Sequence, residues 1–137
     1  MSLKLHPIYE HISKTIKSLS SPHRIKLLEL LAQGEKTVKI LSEQSDLSVA
    51  TTSHHLQTLK QMKIVSVRKE GLYVFYTIND DDILEVIQAI RKVTEKRLSQ
   101  IQDILQTYKS DKELLDTIHS KELLKRIKNY KCFKFLY

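Results

Sequence analysis

Apolar residues recur every three or four positions over most of the chain, the spacing of one buried helix face after another. A first helix is expected from about Pro7 to Ser18, with Ile8, Ile12, Ile16 and Leu19 on one stripe that needs a partner. A second follows Ser21, a residue suited to capping. Pro22 fits its first turn, and Ile25, Leu27, Leu28, Leu30 and Leu31 fill it until Gly34 stops it. Val38, Ile40 and Leu41 mark a short helix to about Gln44, after which Ser45-Asp46-Leu47-Ser48 reads as a turn ending in an N-cap serine. The next helix runs from Val49 to about Met62. Its spacing turns Val49, Thr52, Leu56 and Leu59 inward and leaves Ala50, Thr51, Ser53, His54, Gln57 and Gln61 facing solvent.

The period then changes. Ile64 to Val67 and Leu72 to Ile78 are β-branched and aromatic, with Arg68-Lys69-Glu70-Gly71 between them, which predicts a hairpin carrying Arg68 and Lys69 at its tip. Asn79 or Asp80 starts a long helix, with Asp81 and Asp82 at its positive end and Ile83, Val86, Ile87, Ile90, Val93, Leu98, Ile101, Ile104 and Leu105 along it. At roughly 28 residues it would be about 40 Å long, outrunning a small domain, and dimerisation would bury the excess. Lys112 to Ile118, a helix led by Ser120 and the apolar run Cys132-Phe133-Lys134-Phe135-Leu136-Tyr137 complete the chain. Two short helices joined by a tight turn, the second with a small polar outer face, form a helix-turn-helix, and a basic hairpin after it is a wing. The expected fold is therefore mostly α with a two-stranded β wing, a winged helix-turn-helix.

Composition narrows the function. The chain has 137 residues with 23 Lys and Arg against 16 Asp and Glu, a net charge of +7 that suits a polyanionic partner. A glycine-rich phosphate loop is absent, since Gly34 and Gly71 are the only glycines. No apolar stretch reaches the roughly 18 to 20 residues needed to cross a bilayer, and the start lacks a signal-peptide apolar core, so a cytoplasmic protein is expected. Cys132 is the single cysteine, which leaves no internal disulfide.

With these elements in place, Leu19-Ser20-Ser21-Pro22-His23-Arg24-Ile25-Lys26-Leu27-Leu28 through Tyr76 resembles the ArsR family of bacterial repressors. The most specific part is Leu47-Ser48-Val49-Ala50-Thr51-Thr52-Ser53-His54-His55-Leu56-Gln57-Thr58-Leu59-Lys60, similar to the family's recognition helix, followed by Gly71, Val74, Phe75 and Tyr76 of its wing. Lys63 departs from the pattern, standing where the family usually has glycine. The resemblance implies a homodimer built on the first and the long fifth helices, bound to a near-palindromic double-stranded operator to repress nearby genes. It also implies a division into residues 1–108, for DNA binding and dimerisation, and residues 109–137, an appendage. Leu114 to Tyr137 resembles the opening of a rhodanese domain, here truncated, in which no residue corresponds to the catalytic cysteine; Cys132 is not expected to be a sulfurtransferase nucleophile.

Ser48, Ala50, Thr51, Ser53, His54 and Gln57 are the expected DNA contacts on the recognition helix, through donors and acceptors to base edges or approach to phosphates. Lys60 and Lys63 at its end, with Arg68 and Lys69 on the wing, would neutralise phosphates; the plainer reading is a solvated charged surface. Tyr73 is either a wing contact or cover for the sheet. His55 lies toward the domain body, where a hydrogen-bonded structural histidine is expected. The dimer interface is expected at Ile8, Ile12, Ile83, Ile87, Ile90, Leu98, Ile101 and Leu105. Many relatives release DNA when metal binds cysteines in the third helix or His and acidic residues along the fifth. Thr37 to Gln44 has no cysteine and Asp80 to Tyr108 has neither His nor Cys, so no metal and no cofactor are expected. His6 and His11 fall outside the i, i+4 spacing that chelates on one helix face. A protein-interaction module using the tail, with DNA binding secondary, is the alternative. An enzyme is not expected, because no nucleophile with a partner, acid and base pair or metal set emerges.

Overall fold

The structure, a computed structural model, describes residues 4–97 and 102–118. Helices α1 (Pro7–Leu19) and α2 (Pro22–Ala32) lead into a short strand β1 (Lys36–Thr37), helices α3 (Val38–Ser45) and α4 (Val49–Gln61), strands β2 (Val65–Glu70) and β3 (Tyr73–Ile78), and helices α5 (Asp82–Arg97) and α6 (Gln102–Ile118). The chain divides into two compact units, Met1–Asp80 and Asp81–Tyr137.

In the first unit each helix start is fixed by a local side chain. His6 Nδ1 accepts from Ile8 N, Ser21 Oγ from Arg24 N, Thr37 Oγ1 from Ile40 N and Ser48 Oγ from Thr51 N, each relieving one donor that an N-terminal turn leaves without an intrahelical partner. Helices α3 and α4 both end in left-handed residues, Asp46 (φ 56°) and Lys63 (φ 58°). Leu47 N donates to Ser42 O at 3.1 Å and Ile64 N to Leu59 O at 3.0 Å, the long closing bond of a Schellman motif in each case. These caps set the two tight turns between which α4 is held.

The core collects Leu27, Leu28, Leu41, Leu56 and Leu59, all fully buried, with Val65 beside them. Each such leucine contributes about 1.5–3 kcal/mol through loss of apolar surface to water. Thr52 is buried as well and stays satisfied because its hydroxyl donates to Ser48 O at 2.8 Å. Val49, expected inside, is exposed: as the first helical residue it lies a turn beyond the buried stripe of Thr52, Leu56 and Leu59.

The wing is an antiparallel hairpin whose strands run further than expected. Arg68 pairs with Phe75, Lys69 with Val74 and Glu70 with Tyr73, so Arg68, Lys69 and Glu70 lie in strand β2 and the turn is Gly71-Leu72. The backbone ladder, which a charged residue satisfies as well as an apolar one, carries the strand past the point where hydrophobic alternation stops. Gly71 takes φ 60°, and Leu72 takes no positive φ, the pattern of a two-residue type II′ turn. The hairpin also gains a partner on its other edge, since β1 pairs with β3 through Lys36↔Tyr76 and Thr37↔Phe75, giving the order β1-β3-β2.

In the second unit the single long helix expected from Asp80 to Tyr108 is not formed. The Arg91 guanidinium lies 5.6 Å from the centroid of the Tyr108 ring. In one continuous helix these residues would be about 25 Å apart along the axis, so α6 doubles back beside α5. No glycine or proline marks the reversal, which is why periodicity alone runs straight through it. Helix α6 spans the division expected at 108–109 and takes in Lys112 to Ile118. Leu98, Ile101 and the tail from His119 to Tyr137, which holds Cys132 and most of the rhodanese-like stretch, lie outside the described residues.

Helix α5 carries two apolar stripes. Leu84 and Ile87 are buried within one copy of the chain, whereas Val86, Ile90 and Val93 are exposed. Ile87, expected at a subunit interface, thus belongs to the inner stripe, about 100° per residue around the helix from Val86. Ile83 and Leu105 are half-buried. On α1, Ile8, Ile12 and Ile16 form an exposed row at four-residue spacing, with Ile12 48% exposed.

Candidate nucleic-acid interface

Helix α4 is positioned by its core side, and that leaves its outer side defined. Ala50, Thr51, His54, Gln57 and Lys60 are exposed, and Ser53 is half-buried on the same side. Ser48 lies at the start of this row, but its hydroxyl both accepts from Thr51 N at 3.1 Å and donates to Thr51 Oγ1 at 2.8 Å, which makes it the cap of the helix first of all.

Gln57 is fixed from an unexpected direction. Its Nε2 donates to Tyr76 Oη at 3.2 Å, tying the recognition helix to strand β3. Tyr76 is only 2% exposed, and burial pushes its hydroxyl pKa up, so the phenol stays neutral.

His55 is half-buried and faces the N-terminal end of α2. Arg24 Nη1 stands 3.4 Å from its Nδ1, and the His23 and His54 rings lie 5.7 and 6.1 Å away. Burial holds its pKa below the usual imidazole range, and the Arg24 guanidinium, with smaller contributions from the neighbouring His23 and His54, pushes it the same way. Arg24 is the residue that sequence reading missed. Its Nε donates to Ser18 O and its Nη2 to Lys17 O, so one guanidinium closes the last carbonyls of α1 while standing on α2 and reaching α4. A lone arginine one turn into a helix gives no signal of this; only the crossing of three helices does.

On the wing the two basic residues differ. Arg68 makes a bidentate pair with Glu35 (Nη2–Oε1 2.6 Å, Nε–Oε2 3.1 Å), a second bond to Glu70, and lies over the Phe75 ring at 4.5 Å. The pairing lowers the Glu35 carboxyl pKa through the hydrogen bond from Arg68, and the same bond raises the pKa of Arg68. Arg68 therefore braces the wing against the loop before β1. Lys69, adjacent on β2, is exposed, as is Tyr73 across from Glu70, with its ring 6.3 Å from that of Phe75. Leu72 at the turn is 99% exposed. Lys63 sits where α4 passes into β2. Its backbone is locked by the Schellman cap and by Asn79, whose side chain donates to Lys63 O, and its side chain is exposed.

Among the described residues no group of three or more His, Cys, Asp and Glu stands close enough to hold a metal ion, and no helix is long and apolar enough to cross a membrane.

A helix-turn-helix whose second helix shows a small polar face, followed directly by a basic hairpin, defines a winged helix-turn-helix transcriptional regulator. Residues 21–67 match the family described as bacterial regulatory protein, arsR family. Rv0081 of Mycobacterium tuberculosis, an HTH-type transcriptional regulator, is 32% identical over 98 residues, covering 71% of this chain and 86% of that protein. Its crystal structure superposes with a TM-score of 0.63 over 70% of this chain and 97% of the other, at 31% identity. The homodimeric winged helix-turn-helix DNA-binding domain of Mb0332 from Mycobacterium bovis also gives 0.63, at 27% identity over 73% of this chain and 93% of that one. The transcriptional repressor SdpR of Bacillus subtilis is 34% identical over 68 residues, half of this chain and 76% of its own. Against Rv0324 of Mycobacterium tuberculosis, 28% identical over 69% of this chain, the match spans 42% of the relative's length. The chain belongs to the arsR family of bacterial regulatory proteins.

Proposed function

We propose that this protein is a sequence-specific repressor that binds double-stranded DNA as a homodimer over a near-palindromic operator. The observation that carries the reading is the continuous exposed row on α4, from Ala50 and Thr51 through His54 and Gln57 to Lys60, beside a wing that offers Lys69 and Tyr73. A helix with small polar residues on its outer side fits the major groove, where Ser53, His54 and Gln57 would meet base edges and Ala50 and Thr51 would approach phosphates or thymine methyls. Lys60, Lys63 and Lys69 would neutralise phosphates. Arg68 contributes less, because Glu35 and Glu70 already balance its charge.

The homodimer draws on two exposed apolar rows, Ile8, Ile12 and Ile16 on α1 and Val86, Ile90 and Val93 on α5, and on the homodimeric state of the related Mb0332 domain. The repressor role rests on relatives such as SdpR, and such a protein works in the cytoplasm. Nothing in these similarities favours the tail as the main working part.

Selection of bound sequences from a random duplex pool tests the reading. A two-fold related site should be enriched, and Ser53→Ala with His54→Ala should reduce its preference over other duplexes. Lys69→Ala, which removes two phosphate contacts from a dimer, should reduce the slope of log affinity against log salt by about 1.8, with Arg68→Ala changing it less. Absence of any enriched sequence, or an unchanged preference in the double variant, would sink the assignment. Ile12→Asp and Ile90→Asp should each shift the mass in sedimentation from dimer toward monomer.

A further inference from the structure

The hydrogen bond between Gln57 and Tyr76 joins an exposed side chain on the reading face of α4 to a buried one in the sheet. Tyr76 stands in the central strand β3, paired with Lys36 on one side and Val67 on the other, so its phenol oxygen is a fixed point. A glutamine amide has two N–H donors on one atom and a carbonyl oxygen on the other. When the N–H trans to Oε1 is the one given to Tyr76 Oη, the remaining N–H lies beside Oε1 on the opposite edge, an adjacent donor and acceptor.

We propose that Tyr76 orients the Gln57 amide to read an adenine in the major groove of the operator, an inference that rests on the DNA-binding reading above. Adenine presents N7 as acceptor next to the N6 amino donor, the complement of a donor–acceptor pair on the protein. Guanine presents two acceptors, N7 and O6, and would face Oε1 with a second lone pair. Cytosine offers the N4 donor alone, and thymine an acceptor beside a methyl group. The anchoring bond also removes rotamer freedom from a long side chain before DNA arrives, so less is lost when the contact forms. Gln57 is thus a specificity residue and Tyr76 its positioning residue.

The experiment compares duplex selection by the full chain and by Gln57→Ala, Gln57→Glu and Tyr76→Phe, followed by titration of the enriched duplex and of the same duplex carrying 7-deazaadenine, which lacks the N7 acceptor. One adenine in each half-site should lose its enrichment in Gln57→Ala while the rest of the site persists. Replacing that adenine by 7-deazaadenine should weaken the unaltered chain by about tenfold, within the discrimination of a bidentate base contact, and leave Gln57→Ala unchanged. Gln57→Glu, an acceptor alone, should shift the preference to cytosine. Tyr76→Phe should narrow the adenine preference while keeping affinity for random duplex, the mark of a positioning role. Guanine at the position lost in Gln57→Ala, no position lost at all, or a full adenine preference in Tyr76→Phe overturns the proposal. If the unaltered chain enriches no sequence, the DNA-binding reading beneath it fails instead, and the proposal with it.

Discussion

Replacing Lys63 by glycine should make this protein more stable although it removes a side chain and a charge. Lys63 holds φ 58°, and its amide and that of Ile64 complete the cap of α4 through bonds of 2.9 Å to Lys60 O and 3.0 Å to Leu59 O. The left-handed conformation costs a residue with a Cβ about 1–2 kcal/mol, which glycine avoids. Against this, glycine has more freedom in the unfolded chain and loses roughly 0.5–1 kcal/mol to it. The Lys63 side chain is exposed, so little packing is lost, and the carbonyl that accepts from Asn79 is backbone and survives. The net gain is about 0.5–1 kcal/mol, a rise of roughly 2–8 °C in Tm for a domain of this size. Thermal denaturation followed by circular dichroism reads it directly, with Lys63→Ala as the control that removes the charge but keeps the Cβ. The alanine variant should melt near the unaltered chain or below it. A glycine variant melting no higher than the alanine variant would show that the conformation carries no strain and refute the reasoning.

Arg24→Ala should cost about 2 kcal/mol, the worth of a charged donor to a part-buried acceptor, since Ser18 O loses its bond from Arg24 while Lys17 O is left to Ser20 N; an unchanged urea midpoint would show that α1 is held by other means. Ser48→Ala should cost about 1 kcal/mol through loss of the α4 cap. Ser48→Asp should keep the cap yet weaken DNA binding by placing an anion near phosphates, and a variant that binds as well as the unaltered chain would put the start of α4 off the DNA. His55 is held below its ordinary value of 6.5 when folded, so the unfolded chain binds the proton more readily. The stability it contributes is complete above pH 6.5 and is lost as pH falls through the lower folded value. Urea midpoints from pH 8 to 5 should fall more steeply for the unaltered chain than for His55→Gln, and parallel curves would rule this out.

The helices of the first unit were legible because their signals are local. Ser21 and Ser48 cap the helices they precede, Pro22 sits in a first turn, and Leu27, Leu28, Leu56 and Leu59 fall on the buried sides that their spacing predicts. The reading face of α4 followed by subtraction, apart from Val49. The ends of elements were less legible. Charged residues Arg68 to Glu70 extend strand β2 because pairing with β3 depends on backbone groups, to which composition is blind. The two-residue strand β1 is too short for any periodicity.

The amino-acid order alone thus determines the winged helix-turn-helix, since capping, helical period and β-propensity act between near neighbours in the chain. What only tertiary structure decides is which chemistry each exposed residue keeps for a partner. Arg68 is taken by Glu35, thirty-three positions away, Gln57 is oriented by Tyr76, and Arg24 is spent on the carbonyls of α1. Likewise Ile87 turns inward and Val86 outward on α5, and Arg91 meets Tyr108 where a straight helix would have kept them apart. These pairings depend on distances set by the packing of whole elements, and no local pattern in the sequence encodes them.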